Sequence, residues 1–240
     1  MIFLFTDFGY SGPYVGQMKS VLYQLAPHAR VVDLMHDAPR FNPRASAYLL
    51  AALAPRLPEA SVVVAVVDPG VGGERKPVIL RANSLSFVGP DNGLLEIVAR
   101  RANVAGFSAL VPNPRAEMSS SFHGRDLFAP SAAQVALGEP VEVAPLGPGP
   151  GRDWPDDLAE VIYIDKFGNA MTGLRASMAG TTATLNVGDM ALRRATTFSD
   201  VARGEAFWYE NSSGLVEIAV NQGSAAEGLR IQVGSPVVLG

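Results

Sequence analysis

The stretch VVVAVVDPGVGG (Val62–Gly73) decides how this chain of 240 residues is built. Its first six positions, Val62–Val67, are apolar and five of them are valine. β-Branched side chains are stiff and suit a pleated surface. An unbroken run of them, with no apolar–polar alternation, reads as a strand buried on both faces, the pattern of parallel sheets covered by helices. Asp68-Pro69-Gly70 then ends the strand with turn chemistry. A polar residue directly behind such a strand stands at the carboxyl end of the sheet, where α/β proteins bind ligands.

The neighbouring segments fit that frame. Upstream, Ile2–Thr6 is a short apolar run ending at Asp7, and Val31–Met35 is strand-like. Between them Val15, Met18, Val21, Leu22 and Leu25 fall at helical spacing, and Pro27 closes the stretch. Ala45–Leu57 predicts a second helix. Downstream, Val78–Leu80 and Leu85–Val88 flank Asn83-Ser84 as a hairpin, and Leu94–Arg101 and Leu127–Leu137 read as helices. Strands alternating with helices predict an α/β domain with a mainly parallel sheet over residues 1–146. The proline- and glycine-rich PLGPGPGRDWP (Pro145–Pro155) follows, and a linker is expected over 147–157. Beyond it Glu160–Ile164, Thr182–Val187, Ala206–Tyr209, Leu215–Val220 and Pro236–Leu239 are short strand-like runs punctuated by Gly, Asn and Asp. They predict a small β-barrel domain over 158–240.

Composition narrows the function. Hydrophobic residues make up 48%, enough for a real core, and the net charge of -4 offers no attraction to nucleic acid or an anionic membrane. No apolar run reaches the roughly 18–20 residues of a membrane span. The opening MIFLFTDFG reads as a strand rather than a signal peptide, so a cytoplasmic location is expected. With no cysteine, disulfides, thiolate metal sites and a cysteine nucleophile are excluded. The chain has no HExxH, no GxSxG elbow, no Walker A loop and no complete GxGxxG.

Four segments place polar residues behind apolar runs: Thr6–Gly9, Val67–Gly73, Gly89–Gly93 and Ser121–Asp126. Each alone is explained by turns or helix caps. Together they put an acid at several strand ends. His123 sits at the start of a helix, whereas His28 and His36 read as structural. The histidines lack metal-ligand spacing, which leaves a carboxylate site of Asp7, Asp68 and Asp91 as the open metal alternative to a site with no metal. In the second domain, IDKFGNAMT (Ile164–Thr172) and YENSSGLVEIAVNQGSA (Tyr209–Ala225) cluster small polar residues suited to turns or to a polar ligand. Phe207, Trp208 and Tyr209 are candidates for core or for stacking on a planar base.

In order along the chain, TDFG-x4-YVGQMK, VVDLMHD, VVDPGVGG-x-R, GPDNG, FHGRD-x-FAP, IDKFGN and NSSG-x2-EIAVNQGSA closely resemble the S-adenosyl-L-methionine (SAM) hydrolase (adenosine-forming) family, sister to the SAM-dependent chlorinases and fluorinases. The resemblance implies hydrolysis of SAM to adenosine and L-methionine, with SAM as substrate and no cofactor. A halogenase of the same fold, or a SAM- or adenosine-binding protein with little turnover, is the alternative. It implies a homotrimer with the site between neighbouring subunits. By likeness, Asp68, Arg75 and His123 match the water-activating triad and Asp7 the ribose anchor, with Phe122 at the reacting centre. Asp165 and Ser212 match the methionine contacts. Asn169 and residues around Asn211 and Ala225 match adenosyl contacts, with Phe198 as a candidate packing wall. Two positions depart from the pattern: Gly173 follows Thr172, and Ser213 stands where some halogenases carry Arg.

Overall fold

The computed structural model describes residues 1–113, 117–180 and 182–240. The chain divides into two compact units, Met1–Asp153 and Trp154–Gly240.

The first unit runs β1 (Ile2–Thr6), α1 (Tyr14–Leu25), β2 (Val31–Met35), α2 (Pro43–Leu53), β3 (Val62–Val66), β4 (Pro77–Ala82), β5 (Leu85–Pro90), α3 (Glu96–Arg101), β6 (Ala105–Leu110), α4 (Ala129–Leu137) and β7 (Val143–Ala144). These strands form one seven-stranded sheet in the order β2-β1-β3-β5-β4-β6-β7. The ladders β1–β2, β1–β3 and β3–β5 are parallel, and β4–β5, β4–β6 and β6–β7 are antiparallel. Thus β2, β1, β3, β5 and β6 point one way and β4 and β7 the other. All of β1 and β3 is buried. Burying a valine contributes roughly 1.5–3 kcal/mol, so the valine run of β3 is a main source of stability. Met18 and Leu22 of α1 and Phe128, Ala129 and Ala132 before and within α4 pack on the same apolar layer.

Helix boundaries follow local chemistry. Asn42 caps α2, its side chain accepting from the Ala45 N–H at 3.0 Å, and Pro43 occupies the first turn, where its missing N–H costs nothing. The helix therefore starts two residues before the expected Ala45 and tightens into a 3₁₀ turn at Ala54–Arg56. The helix expected from Leu127 begins as a π-helical turn over Gly124–Phe128 and continues as α4. Strand β6 was not legible in its weak AGFSAL pattern; pairing with β4 creates it.

The second unit runs β8 (Leu158–Ile164), β9 (Ala170–Arg175), β10 (Leu185–Val187), β11 (Met190–Leu192), β12 (Ala206–Glu210), β13 (Leu215–Val220), α5 (Ala225–Gly228) and β14 (Val238–Leu239). Two antiparallel sheets result, β12-β13-β9-β8 and β11-β10-β14. Single bridges Glu160–Pro236 and Arg194–Trp208 supplement them. The core gathers Trp208, Ile218, Val161 and Leu185. Trp208 spends its indole N–H on the Ala183 carbonyl at 3.2 Å.

The proline-rich segment makes contacts within each unit. The Gly151 and Arg152 carbonyls accept from Arg100 Nη2 at 3.0 and 3.2 Å, within the first unit. Asp157, within the second, is paired with Arg175.

Candidate active site

The first-unit site lies where the sheet changes direction of growth. From β1 the chain crosses to β2 on one side, then returns past β1 to β3 on the other. Such a switch point opens a crevice outside the carboxyl ends of the strands. Thr6 pairs with Val66 there, so Asp7 and Asp68 emerge from adjacent strands.

Asp68 and Arg75 belong to one loop and close on each other. Arg75 Nε donates to the two Asp68 oxygens at 3.2 and 2.9 Å, and Nη2 donates to Oδ2 at 2.6 Å. Both side chains are nearly buried, 10% and 4% exposed, so this is a desolvated, two-pronged pair. Arg75 Nη2 also lies 2.7 Å from His123 Nδ1. A guanidinium has no lone pair to offer, so Nδ1 accepts and the proton of a neutral His123 resides on Nε2. Burial, and then the Arg75 charge, hold the His123 pKa below the ordinary histidine value. A cationic His123 is therefore not what the cluster favours; Arg75 already supplies the positive charge.

Gly72 makes this meeting possible. At φ +78°, a side chain there would place Cβ 2.5 Å from the Ser120 carbonyl oxygen. Its absence lets the 68–75 loop seat against the residues leading into His123. The π-helical turn after His123 is the irregular helix geometry often found at functional sites.

Asp68 and His123 line a small cavity of about 170 Å³ with Phe8, Tyr14 and Phe122. The three aromatic rings pack edge-on or tilted, with centroids 5.3–6.0 Å apart. Asp7 stands beside this cavity without lining it. Its Oδ2 accepts from the Phe41 N–H at 3.0 Å. Burial raises its pKa, the Phe41 bond opposes that, and the Asp68 charge adds to the rise. Asp91 lines a different cavity with Gly149 and Arg100. From the same motif it is Asn92 that faces the strand ends, donating to the Val67 carbonyl at 2.9 Å. The three acids that might have held a metal do not converge.

His36 is buried and joined to the same edge. Lys19 Nζ meets Asp33 at 2.6 Å, Asp33 lies 3.0 Å from His36 Nε2, and His36 Nδ1 lies 2.8 Å from Thr6 Oγ1. The order acid–histidine–hydroxyl matches a nucleophile triad, but Thr6 is fully buried and no substrate can reach it. The chain instead ties the end of β2 to the Thr6–Gly9 loop. The spacing of Asp33 and His36 was its only sequence trace.

The second unit holds a larger cavity, about 810 Å³, lined by Asp165, Asn169, Phe198, Asn211 and Ser212 among others. Asp165 accepts from the Phe167 and Asn169 N–H groups at 2.8 and 2.9 Å and from Asn169 Nδ2 at 3.1 Å. Phe198 packs edge-on against Phe207 and Tyr209. Phe207 and Trp208 are core, and Tyr209 faces the cavity. Ala225 does not line it: its side chain is buried in the second core. The neighbouring Ala226 N–H reaches the Gly168 carbonyl at 2.9 Å, tying α5 to the Asp165 turn. Gly173 is a packing requirement, because a Cβ there would lie 2.6 Å from Leu158 Cβ on β8. Sequence reading missed Glu217, which also lines the cavity; its trace was a lone acid in the apolar run LVEIAV.

Both halves of the chain match one family. Residues 2–144 match the SAM hydroxide adenosyltransferase N-terminal domain, and residues 159–238 match the C-terminal domain of the same name. The chain belongs to the SAM hydroxide adenosyltransferase family. An (R)-S-adenosyl-L-methionine hydrolase from Thermus thermophilus is 40% identical over 99% of this chain and 98% of its own length. A fluorinase from Actinopolyspora mzabensis is more distant, 24% identical over 99% and 96% of the two chains. The crystal structure of an uncharacterized conserved protein from Thermotoga maritima superposes with a TM-score of 0.89 at 30% identity, covering 100% and 99% of the two chains. The family resemblance carried by the strand-end motifs thus extends over the whole chain.

Proposed function

We propose that this chain hydrolyses SAM to adenosine and L-methionine. The observation that carries the reading is the Arg75 guanidinium held between Asp68 and His123, two polar side chains that line an aromatic cavity with Phe8, Tyr14 and Phe122. Water attacks ribose C5′ and forms the C–O bond. The C5′–S bond breaks with its electron pair on sulfur, so methionine leaves as a neutral thioether and one proton is released. Arg75 lowers the cost of negative charge on the attacking oxygen. His123 presents Nε2–H as a donor, and Asp68 is the anion beside the water. Attack by a hydroxide-like oxygen on a sulfonium destroys charge, so a cavity walled by Phe8, Tyr14 and Phe122 favours the transition state over the separated ions. Holding water in line with the leaving sulfur contributes on the order of 7–11 kcal/mol.

Asp7 serves as the ribose anchor in this reading, and Phe122 borders C5′. Asp165 and Ser212 take the methionine end. Asn169, Asn211 and the backbone around Ala225 take the adenosyl part, against Phe198. SAM is the sole small-molecule partner, with no cofactor, and the reaction belongs to the cytoplasm. The second unit acts as a barrel-like recognition body. The working form is a homotrimer in which a second unit serves the strand ends of a neighbouring copy.

The test is chromatography of SAM incubated with the protein, with and without chloride. Adenosine and methionine in both mixtures are the expected products. 5′-Chloro-5′-deoxyadenosine would support the halogenase, although the Asp68 carboxylate at the cavity wall repels a halide. Tight SAM binding with no product over hours would overturn the hydrolase. Shared sites between copies are tested by mixing Arg75→Met, which loses turnover, with Asp165→Asn, which loses affinity, at SAM well below KM. Mixed trimers should recover activity, because some sites then combine two intact halves.

A further inference from the structure

Glu217 is the least expected charge in the second unit. It sits mid-strand on β13, 2% exposed, between the apolar neighbours Val216 and Ile218. A buried carboxylate is costly unless strong donors meet it. Its two donors are both neutral. Tyr209 Oη donates to Oε1 at 2.6 Å, and Asn211 Nδ2 donates to Oε2 at 2.8 Å. The nearby charge is Asp165, which is of the same sign. Apolar packing of the strand alone therefore does not call for an acid here.

The bonds beyond Asn211 supply a reason. With Nδ2 committed to Glu217, the amide can point only one way. Its Oδ1 then accepts from the Ser213 and Leu215 N–H groups at 2.9 and 3.0 Å. The Asn211 N–H and the Leu215 carbonyl close the same turn at 2.9 Å. Glu217 therefore sets the amide that cross-links residues 211–215, the turn that presents Ser212 to the cavity. On the other side it fixes the Tyr209 hydroxyl, whose proton faces Glu217 and whose free lone pairs remain for the cavity.

We propose that Glu217 is a positioning residue for substrate binding, acting through Asn211 and Tyr209 to preset the Ser212 turn. This rests on the reading of the cavity as a SAM site. Two replacements separate position from charge. Glutamine can accept from Asn211 with its oxygen and donate to Tyr209 with its nitrogen, so Glu217→Gln keeps both partners placed without charge. Leucine keeps the volume and releases both partners.

The full chain and each variant are titrated with SAM by calorimetry, and adenosine formation is followed in parallel. Glu217→Leu should bind SAM about tenfold more weakly and raise KM rather than lower kcat. Glu217→Gln should stay within about threefold of the parent. Leucine binding like the parent overturns the proposal. So does glutamine binding as poorly as leucine, which would make the charge itself the determinant. Should the leucine variant not fold, Glu217→Ala and Asn211→Ala are compared singly and together. Action through Asn211 requires the pair to lose clearly less than the sum of the two single losses, and additive losses refute it. A parent chain that binds SAM without releasing adenosine would refute hydrolysis and leave the binding comparison for Glu217 intact.

Discussion

The two cavities hold their carboxylates in opposite ways. At the strand ends Asp68 is matched by a cation, with Arg75 gripping it through two nitrogens and reaching on to His123. In the second unit, among the described residues, Asp165 and Glu217 are met by amides and a phenol hydroxyl. The first arrangement is internally neutral and rigid, fit to handle a small nucleophile. The second leaves negative charge and aromatic faces, Phe167, Phe198 and Tyr209, open to a ligand. A sulfonium or ammonium suits such a surface. On the proposed reading, the difference concentrates the chemistry at the first cavity and recognition of the methionine and adenine parts at the second. Variants of the first cluster should therefore lower kcat, and variants of the second should raise KM.

The largest effect is expected from Arg75→Met. Loss of the cation should cut adenosine formation by roughly 10²–10⁴-fold. Asp68 is left buried and unpaired, which costs about 3–5 kcal/mol of stability, read by urea unfolding. Activity within threefold of the parent would erase the contrast between the two sites. Next, Asp165→Asn should raise KM for SAM by about tenfold while kcat stays within about twofold, because a charge-assisted acceptor of the Asn169 turn is lost. An equal fall in kcat would mean that the second cavity takes part in chemistry.

The third effect is a pH dependence. The folded chain holds the His123 pKa below 6.5, through burial first and then the Arg75 charge. The unfolded chain takes up that proton more readily. Stability from this group is thus full above about pH 6.5 and is lost as pH falls through the lower folded value. His123→Gln should lose less stability than the parent between pH 7.5 and 5.5, and equal losses would contradict the neutral histidine. The smallest effect belongs to Lys19→Ala. Its pair with Asp33 is about one-third exposed on each side, so well under 1 kcal/mol should be lost, with kcat unchanged. A clear fall in kcat would show that the Lys19–Asp33–His36–Thr6 chain reaches the reacting centre.

Local pattern and short-range chemistry made part of this protein legible. Five valines in six positions announced β3, and Asp68 behind them announced a strand-end site. The Asp68-Pro69-Gly70 sequence marked the turn that ends the strand. Other features carry little local signal. Strand β9 has the interrupted pattern AMTGLR, yet it lies centrally between β13 and β8, because two ladders and the Gly173–Leu158 contact hold it there.

By itself, then, the sequence determined the doubly buried strands, the turn residues at their ends and the order of the family's motifs, all properties of residues close together along the chain. Only the tertiary structure decided which side chains face one another. It set Arg75 against His123, 48 positions away, and fixed that histidine's tautomer. It sent Asp91 to a different cavity from Asp68 and put Ala225 in the core. It also joined Glu217 to the Asn211 amide that cross-links the 211–215 turn. Those outcomes depend on burial and on the direction of hydrogen bonds between distant segments, which arise when the sheets assemble.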